Sequence, residues 1–243
     1  MISRMLVLTC VLVLGMAGVS AASIVTEAEA AWYFGDDSGT DVSGKGATYS
    51  LADGANISGG KVNINGGTQR MELGSVAGTL ASGGPWTLYL QNANISGGDW
   101  SVYVDIGQGG RGESITLFQH EARMWTDIWY VGSASIEADL RGSNACVFIM
   151  YDGGWHVRGG PKDGDGGRNY GSMPTPAALG LLPYGERNDD LGYYAGNISA
   201  EGVGVWNRVL NDAERAAACG AIPEPATIML LGLGGLALIR RRR

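Results

Sequence analysis

Two carboxylates, Glu137 and Asp139, stand at alternate positions of the chain. In a β-strand, alternate side chains project from the same face. A carboxylate pair on one face can supply the nucleophile and the general acid that cleave a glycosidic bond. The spacing therefore raises glycan cleavage as one function to weigh.

A second acidic group lies in the loop 161–167, which reads Pro-Lys-Asp-Gly-Asp-Gly-Gly. Asp163 and Asp165 could supply oxygen ligands to Ca²⁺, but the EF-hand pattern fails because Gly167 takes the third ligand position and no Glu closes the loop. Neither His120 nor His156 has a second His or Cys at metal-ligand spacing. We therefore expect no cofactor, with a calcium site at Asp163 and Asp165 as the alternative to a solvated turn.

Two tryptophans have a spacing that suits sugar binding. Trp125 and Trp129 share strand parity, whereas Met124, Ile128 and Tyr130 fall on the opposite face. If exposed, the two indoles would form a stacking platform for sugar rings, about 13 Å apart. If buried, they are core residues, which is the commoner role of large aromatic side chains. Carbohydrate binding at Trp125 and Trp129 is thus one of two hypotheses for this pair.

Short strands separated by glycine turns must position these residues. The chain contains 41 glycines among 243 residues, and glycine accepts the positive φ angles of turns and bulges without strain. The intervening segments are rich in Trp, Tyr, Val and Ile, so they can bury enough area to fold. Apolar residues alternate over 86–90, 100–106, 115–117 and 136–140, and the wholly apolar run 146–150 indicates a central strand. The pattern predicts an all-β sandwich or barrel.

One short helix is predicted at the end of the domain, over residues 211–220. Asn211 can cap the free N–H groups, Glu214 has capping-box spacing, and Gly220 can close the C-terminus. No helix-length stripe with a 3.6-residue period precedes residue 210. Three Asn-Ile-Ser sequons, at Asn56, Asn94 and Asn197, are interpreted as recurring turns between strands.

Residues 1–21 have the pattern of a secretion signal. Arg4 supplies the positive start, an apolar stretch follows, and small residues near Ala21 offer a site for signal peptidase. Cys10 leaves with this segment, so the mature chain holds Cys146 and Cys219. An oxidising compartment would permit a bridge between them. The alternative, which we favour from the apolar neighbours of Cys146, is a buried free thiol.

The C-terminus combines three features in order. Pro223, Glu224 and Pro225 are followed by the apolar stretch 226–239, and the chain ends on Arg240, Arg241, Arg242 and Arg243. Residues 221–243 thereby resemble the PEP-CTERM sorting tail. The prolines keep the backbone extended, and the 14 apolar residues span about 21 Å as a helix, short of the roughly 30 Å hydrocarbon core. Four arginines favour a cytoplasmic end.

This resemblance implies an exported protein of the cell envelope, held in the membrane at least transiently by helix 226–239. It implies an exosortase that processes the tail near Pro223, Glu224 and Pro225. The protein would then be extracellular or surface-associated. Whether the anchor is permanent or is cleaved stays open.

The exported part is strongly acidic. The whole chain carries a formal net charge of −7, and removing the five arginines of the two ends leaves 12 basic against 24 acidic residues. Such a surface repels phosphate backbones, which argues against nucleic acid as a partner. Neutral glycans, or anionic glycans bound through a cation, fit better.

Two stretches resemble the concanavalin A-like lectin/glucanase superfamily in its laminin-G-like branch. One runs from Trp32 through the Asp-Val-Ser-Gly-Lys-Gly turn that begins at Asp41, and the other covers 196–210 with Trp206-Asn207-Arg208 and then Glu214. The resemblance implies an antiparallel jelly-roll sandwich over residues 22–220, with Trp206 as a core residue. The acidic pair usual before the closing strand is displaced, with Ser199-Ala200-Glu201-Gly202 in its place.

The resemblance also bears on catalysis. Glucanases of the superfamily use a Glu-x-Asp-x-(x)-Glu pattern, and here Arg141 stands where the second Glu is expected, so the proton donor is missing. We therefore expect a non-catalytic lectin-like domain that binds polysaccharide or other envelope components. A glycoside hydrolase and a purely structural surface protein are the alternatives. Which glycan is bound, and the oligomeric state, stay open.

Overall fold

The computed structural model of the protein describes residues 24–108, 113–128, 131–183 and 194–221. The predicted secretion signal and the sorting tail 222–243 lie outside the described residues, as does Trp129. Within the described part, no helix combines the length and the apolar character that crossing a bilayer requires.

Short strands dominate the described chain, as the glycine-punctuated sequence predicts. The strands are β1 (Ala30–Tyr33), β2 (Thr40–Asp41), β3 (Ser50–Ala52), β4 (Asn56–Ser58), β5 (Lys61–Asn65), β6 (Arg70–Glu72), β7 (Trp86–Ser96), β8 (Ser101–Gly107), β9 (Ser114–His120), β10 (Arg123–Ile128), β11 (Gly132–Ile136), β12 (Gly142–Tyr151), β13 (Trp155–Arg158), β14 (Gly164–Gly166), β15 (Ala177–Gly180), β16 (Tyr194–Ala195), β17 (Asn197–Ala200) and β18 (Gly202–Trp206). A 3₁₀ turn (Gly74–Val76) leads into helix α1 (Ala77–Ala81), and helix α2 (Asp212–Ala221) closes the domain.

The strands form two packed layers that are almost wholly antiparallel. One layer runs β2-β1-β18-β7-β12-β13-β14, and the other runs β11-β10-β9-β8-β15-β6-β3. The layers connect where Ile136 of β11 pairs with Gly166 of β14. Because β7 is long, its first half pairs with β18 and its second half pairs with β17. The predicted all-β sandwich is confirmed, and β12 lies between β7 and β13 as the central strand that its apolar run indicated.

The apolar faces of the two layers meet in one main core. Trp32, Trp86 and Trp155 are fully buried there, and burial of such large aromatic surfaces is the main source of stability in a sandwich. A second, smaller cluster lies under α2, where Trp206 packs with Tyr89 on the outer face of the sheet. Trp206 is therefore a core residue, as predicted.

The turn that begins at Asp41 is held by its carboxylate. Asp41 accepts hydrogen bonds from the backbone N–H groups of Ala31 (3.1 Å), Ser43 (3.0 Å) and Ala47 (2.8 Å). Gly44 adopts a φ of +80° in the same turn, a conformation that favours glycine. Burial opposes the charged carboxylate, but the hydrogen bond from the Ser43 hydroxyl (3.0 Å) and the three backbone hydrogen bonds prevail and lower the pKa of Asp41. The turn that begins at Asp41, which the resemblance implies, is thus present.

Helix α2 begins with the predicted capping box. The Asn211 side chain accepts from the Glu214 backbone N–H (3.0 Å), and the Glu214 carboxylate accepts from the Asn211 backbone N–H (2.8 Å). A disulfide joins Cys219 of α2 to Cys146 of β12. The free thiol that we favoured for Cys146 is therefore wrong. The Cys146 side chain is half-buried on the face of β12 that packs against α2. It therefore meets Cys219, which is 73 residues further along the chain.

Two sequence expectations are corrected by the strand bounds. The three Asn-Ile-Ser sequons are not turns, because they lie within β4, β7 and β17. The segment 136–140 is not one strand, since β11 ends at Ile136 and the Ala138 N–H donates back to the Ile136 carbonyl (2.7 Å). Helix α1, which is only five residues long, adds a short element that the sequence pattern did not indicate.

Candidate functional site

An aromatic surface lies beside the turn between β7 and β8. We define it by Trp100, His120, Trp125 and Tyr194. Trp100 and Tyr194 are each 37% exposed, which places them among the few exposed large apolar side chains of the described residues. The Trp100 indole stacks on His120 with ring centroids 4.4 Å apart and on buried Phe118 at 5.5 Å. A flat apolar face is thus presented to solvent.

The turn 97–100 holds Trp100 in this position. The Trp100 N–H donates to the Gln119 carbonyl (2.7 Å), and the Asp99 carboxylate accepts from the Glu121 N–H (2.6 Å). Both bonds tie the β7–β8 turn to the end of the β9–β10 hairpin. Trp100 itself has a φ of +69°, which is uncommon for a large side chain.

Sequence alternation misplaced Trp100, because this residue precedes β8 and has a positive φ. The pattern over 100–106 puts Trp100 on the same face as Val102, Val104 and Ile106. In the structure the β8–β9 register shifts between Val102 and Val104, which leaves Tyr103 as the extra residue, and Trp100 lies before the strand. The paired glycines that precede Trp100 indicate a turn at this position, whereas no local sequence pattern indicates the bulge at Tyr103.

Tyr194 reaches the same turn from β16. Its backbone N–H donates to the Trp100 carbonyl (3.3 Å), and β16 pairs in parallel with the start of β8. A Cβ at Gly98 would lie 2.9 Å from the Tyr194 hydroxyl. The absence of a side chain at Gly98 therefore lets Tyr194 approach the turn and extends the aromatic surface beyond Trp100.

Trp125 lies at this surface and also packs against the main core, whereas Trp129 lies outside the described residues, so the sugar platform of this pair stays a prediction. Met124 and Ile128 are buried on the opposite face of β10, and Trp125 is half-buried, 6.3 Å from the His120 ring. Among the described residues, the buried Trp125 Nε1 has no hydrogen-bond partner. The structure thus brings Trp125 together with Trp100 and His120, two residues that the sequence interpretation did not assign to a sugar platform.

Charged groups next to this surface neutralise one another. Glu137 forms ion pairs with Arg123 (3.0 Å) and Lys162 (3.0 Å), and the Lys162 hydrogen bond lowers the pKa of this carboxyl. Asp139 is bound by the Arg141 guanidinium at 2.7 Å. Burial opposes the charge on Asp139, but hydrogen bonds from Arg141 prevail and lower its pKa. A general acid needs a raised pKa, so both carboxylates are suited to ion pairing.

The two candidate calcium ligands are engaged with protein groups. Asp163 accepts from the Gly159 N–H (2.8 Å), while Asp165 contacts His156 Nδ1 (2.7 Å) and Arg158 (2.7 Å). Asp152 holds the other ring nitrogen of His156 at 2.9 Å. In the described ranges, no three His, Cys, Asp or Glu side chains come together as a metal site. Calcium at Asp163 and Asp165 stays an untested prediction.

Comparison with known proteins identifies the tail and the fold. Residues 221–243 match the PEP-CTERM protein-sorting motif, which indicates an exported protein that is sorted by an exosortase to the cell envelope. No curated protein matches the chain in sequence.

Solved structures similar to the chain are β-sandwich domains. A Trypanosoma rangeli sialidase in complex with 2,3-difluoro-KDN is 12% identical, with a TM-score of 0.57 over 79% of this chain and 32% of that one. A botulinum neurotoxin DC binding domain in complex with SialylT is 8% identical, with a TM-score of 0.54 over 82% and 52%. Botulinum neurotoxin type C, whose cell entry depends upon interaction with two ganglioside molecules, is 10% identical, with a TM-score of 0.52 over 81% and 51%.

The similarity at this identity shows the fold alone. The chain spans about a third of the sialidase and about half of the toxin structures that it matches. Together with the motif at residues 221–243, it establishes an exported chain with a PEP-CTERM sorting motif and a lectin-like β-sandwich.

Proposed function

We propose that the protein is a non-catalytic envelope or extracellular-matrix protein whose sandwich binds polysaccharide at the aromatic surface. The observation that carries this proposal is the exposed Trp100 indole, stacked on His120 and extended by Tyr194. An exposed apolar patch, unlike a single exposed side chain, marks an interaction site, and here Trp100 and Tyr194 are both exposed beside one turn. The backbone of Trp100 is held by two hydrogen bonds, one from its N–H to Gln119 and one from the Tyr194 N–H to its carbonyl.

The chemistry of the surface suits a sugar ring. The apolar C–H face of a pyranose can stack on an indole or phenol ring, while its hydroxyls need polar partners at the edge. Asp99, an exposed carboxylate 3.9 Å from the His120 ring nitrogen Nδ1, provides such an edge. Because the rings are already stacked, little conformational entropy is lost on binding.

Structural relatives support a glycan as the ligand class. The toxin and sialidase structures are described with SialylT, gangliosides or a sugar-acid analogue. The finer assignment to the laminin-G-like branch rests on the Trp32 and Trp206 segments. Helix 226–239 would hold the protein in the membrane until an exosortase cleaves near Pro223 to Pro225.

The alternatives make different demands on the same surface. A glycoside hydrolase would need Glu137 or Asp139 as a proton donor, and the arginine and lysine partners of both carboxylates oppose that role. A purely structural surface protein would need no free binding face, so it leaves the exposure of Trp100 and Tyr194 without a use.

A glycan array on residues 22–221, probed with and without Ca²⁺, tests the proposal. We expect binding by the wild type and a loss of about tenfold or more in affinity for Trp100→Ala, since the stacking surface is removed. Val42→Ala, at an exposed apolar position away from the turn, is the matched control and should bind as the wild type does. Absence of binding to every glycan under both conditions would leave only the structural role.

A further inference from the structure

A polar groove lies on the outer face of the sheet where β17 inserts between β5 and β7. Its volume is about 430 Å³. Its walls come from short amide and hydroxyl side chains, with one isoleucine at the base. The lining residues are Asn65, Asn94, Ser96, Asn197, Ile198 and Ser199.

The sequons build this groove because they are strands. Asn197 of β17 pairs with Ser96 of β7 on one side and with Asn65 of β5 on the other. The intervening isoleucines, Ile95 and Ile198, are buried. In each Asn-Ile-Ser unit the period of two therefore directs isoleucine inward and turns asparagine and serine outward.

The polar array continues across five neighbouring strands. The pairing registers place one residue of each strand in a single row, with each step about 4.8 Å and the whole row about 19 Å. From β12 through β7, β17 and β5 to β4, the row is Ser143, Asn94, Ser199, Asn63 and Asn56. The groove thus belongs to an extended, regular face that carries hydrogen-bonding groups.

The side chains in the groove are uncharged, and some are available for a ligand. Asn197 Nδ2 donates to Ser96 Oγ at 3.2 Å. Within the described part of the chain, the side-chain amides of Asn65 and Asn94 make no hydrogen bond to protein groups. Both residues are exposed, so their amides are accessible to a ligand. An amide presents both donors and acceptors, so it can pair with a hydroxyl in either direction.

We propose that this groove binds an uncharged, hydroxyl-rich polysaccharide chain as a second subsite. No lining residue is ionisable, and the protein has a net charge of −7, so an anionic chain would meet repulsion without a compensating cation. Ser96 of the groove precedes Trp100 of the aromatic surface by four residues, so the two surfaces flank the same β7–β8 turn. This inference rests on the proposed glycan binding and names the class of ligand. The groove and the aromatic surface have no side chain in common.

Affinity electrophoresis of the exported protein tests the groove. The gels contain dextran, mannan or hydroxyethyl cellulose as uncharged probes and alginate as the anionic one. Asn94→Asp and Asn197→Asp keep side-chain size but remove amide donors and add charge. We expect at least one uncharged polymer to retard the wild type. In each variant the affinity should fall to about one fifth or less of the wild-type value, since each variant loses at least one hydrogen bond to the polymer.

Asn207→Asp is the matched control, because it makes the same chemical change at an exposed residue beyond the other end of β18. The pairing of Trp206 with Thr87 puts this end seven residues along β7 from Asn94, about 24 Å away. Thermal unfolding of all variants separates loss of binding from loss of folding. Asn94→Ser is a further variant that removes the amide without adding a charge.

The outcomes distinguish the groove from the aromatic surface. Undiminished binding by Asn94→Asp and Asn197→Asp, together with loss in Trp100→Ala, would overturn the groove and leave the proposed function in place. Binding to alginate alone would overturn the uncharged ligand class. Loss in the groove variants but not in Asn207→Asp supports the second subsite.

Discussion

Trp100 combines a positive φ with an exposed indole. A φ of +69° is a conformation that bulky residues rarely adopt, and such residues cost on the order of 1–3 kcal/mol. The stacking of Trp100 on His120 and Phe118, together with its N–H bond to Gln119, offsets this cost. Strain of this kind concentrates at functional positions, which agrees with the place of Trp100 in the proposed binding surface.

The ion pairs of His156 make the stability of the fold depend on pH. Burial opposes its charged form, but the hydrogen bonds that its ring donates to the Asp152 and Asp165 carboxylates prevail and raise the pKa of His156 above 6.5. The stabilisation is therefore fully present below the unfolded pKa of about 6.5 and is lost as pH rises through the folded pKa. We expect His156→Gln to lower the melting temperature at about pH 6 by at most roughly 2–4 °C. The effect is small because Asp152 and Asp165 are exposed.

Melting curves of the wild type and His156→Gln across pH measure this effect. The difference between the two proteins should shrink as pH rises above the folded pKa. A variant with Asp152→Asn and Asp165→Asn keeps the histidine but removes its partners, so NMR titration should find a lower His156 pKa there. A difference in melting temperature that is constant from acid to alkaline pH would contradict the role of the charge.

At the scale of elements, α2 is attached to the sheet by the disulfide as well as by packing. The bridge joins residues 73 apart, and loop closure of this length is worth up to about 4 kcal/mol in the chain-entropy model. We expect Cys146→Ser with Cys219→Ser to lower the melting temperature by about 10 °C. Wild-type protein under reducing conditions should melt at the same temperature as the double variant.

Differential scanning calorimetry checks this expectation. The capping box at Asn211 and the packing of Ala218 on the sheet should keep α2 helical without the bridge, so circular dichroism should change little below the transition. Equal melting temperatures for oxidised wild type and double variant would show that the bridge does not contribute to stability.

Local interactions explain which elements the sequence could predict. The capping box of α2 and the Asp41 turn depend on residues within a few positions, and both appear as expected. The bulge at Tyr103 and the pairing of Cys146 depend on distant strands and helices, so no local pattern revealed them. The Asn-Ile-Ser units contain turn-forming residues, yet strand pairing on both sides overrides that preference. Strand parity raised Trp125 as one hypothesis for sugar binding, which stays untested, and no local pattern could bring Trp100 and Tyr194 together, because they meet through strand pairing.

At the scale of the whole molecule, the folded domain and the sorting tail should be separable. Helix α2 is described as far as Ala221, and Pro223 and Pro225 follow in the sequence, where proline disfavours a continuous helix. We expect deletion of residues 222–243 to leave the sandwich folded and to release it to the exterior. Fractionation of cells and medium, with a melting curve of the released protein, measures both.

Replacing Arg240, Arg241, Arg242 and Arg243 by Ser is the companion change, and it should weaken retention because arginines fix the cytoplasmic end. Mass spectrometry of the mature protein should place its C-terminus between Pro223 and Ala226. Recovery of the intact arginine end in most secreted molecules would contradict processing, although a permanent anchor would remain compatible with it.

The pairing of β1 with β18 determines when the sandwich can close during export. Ala30 pairs with Val205, and the Trp206 indole donates to the Ile24 carbonyl (2.9 Å). The first strand to emerge from a translocation channel therefore keeps one unpaired edge until nearly the last strand has crossed, and contacts of such sequence separation form slowly. A nascent chain halted before residue 202 cannot bury Trp32 against its partner. When β18 does arrive, the tail is already next in the channel, so an exosortase meets its substrate only as the sandwich becomes able to close.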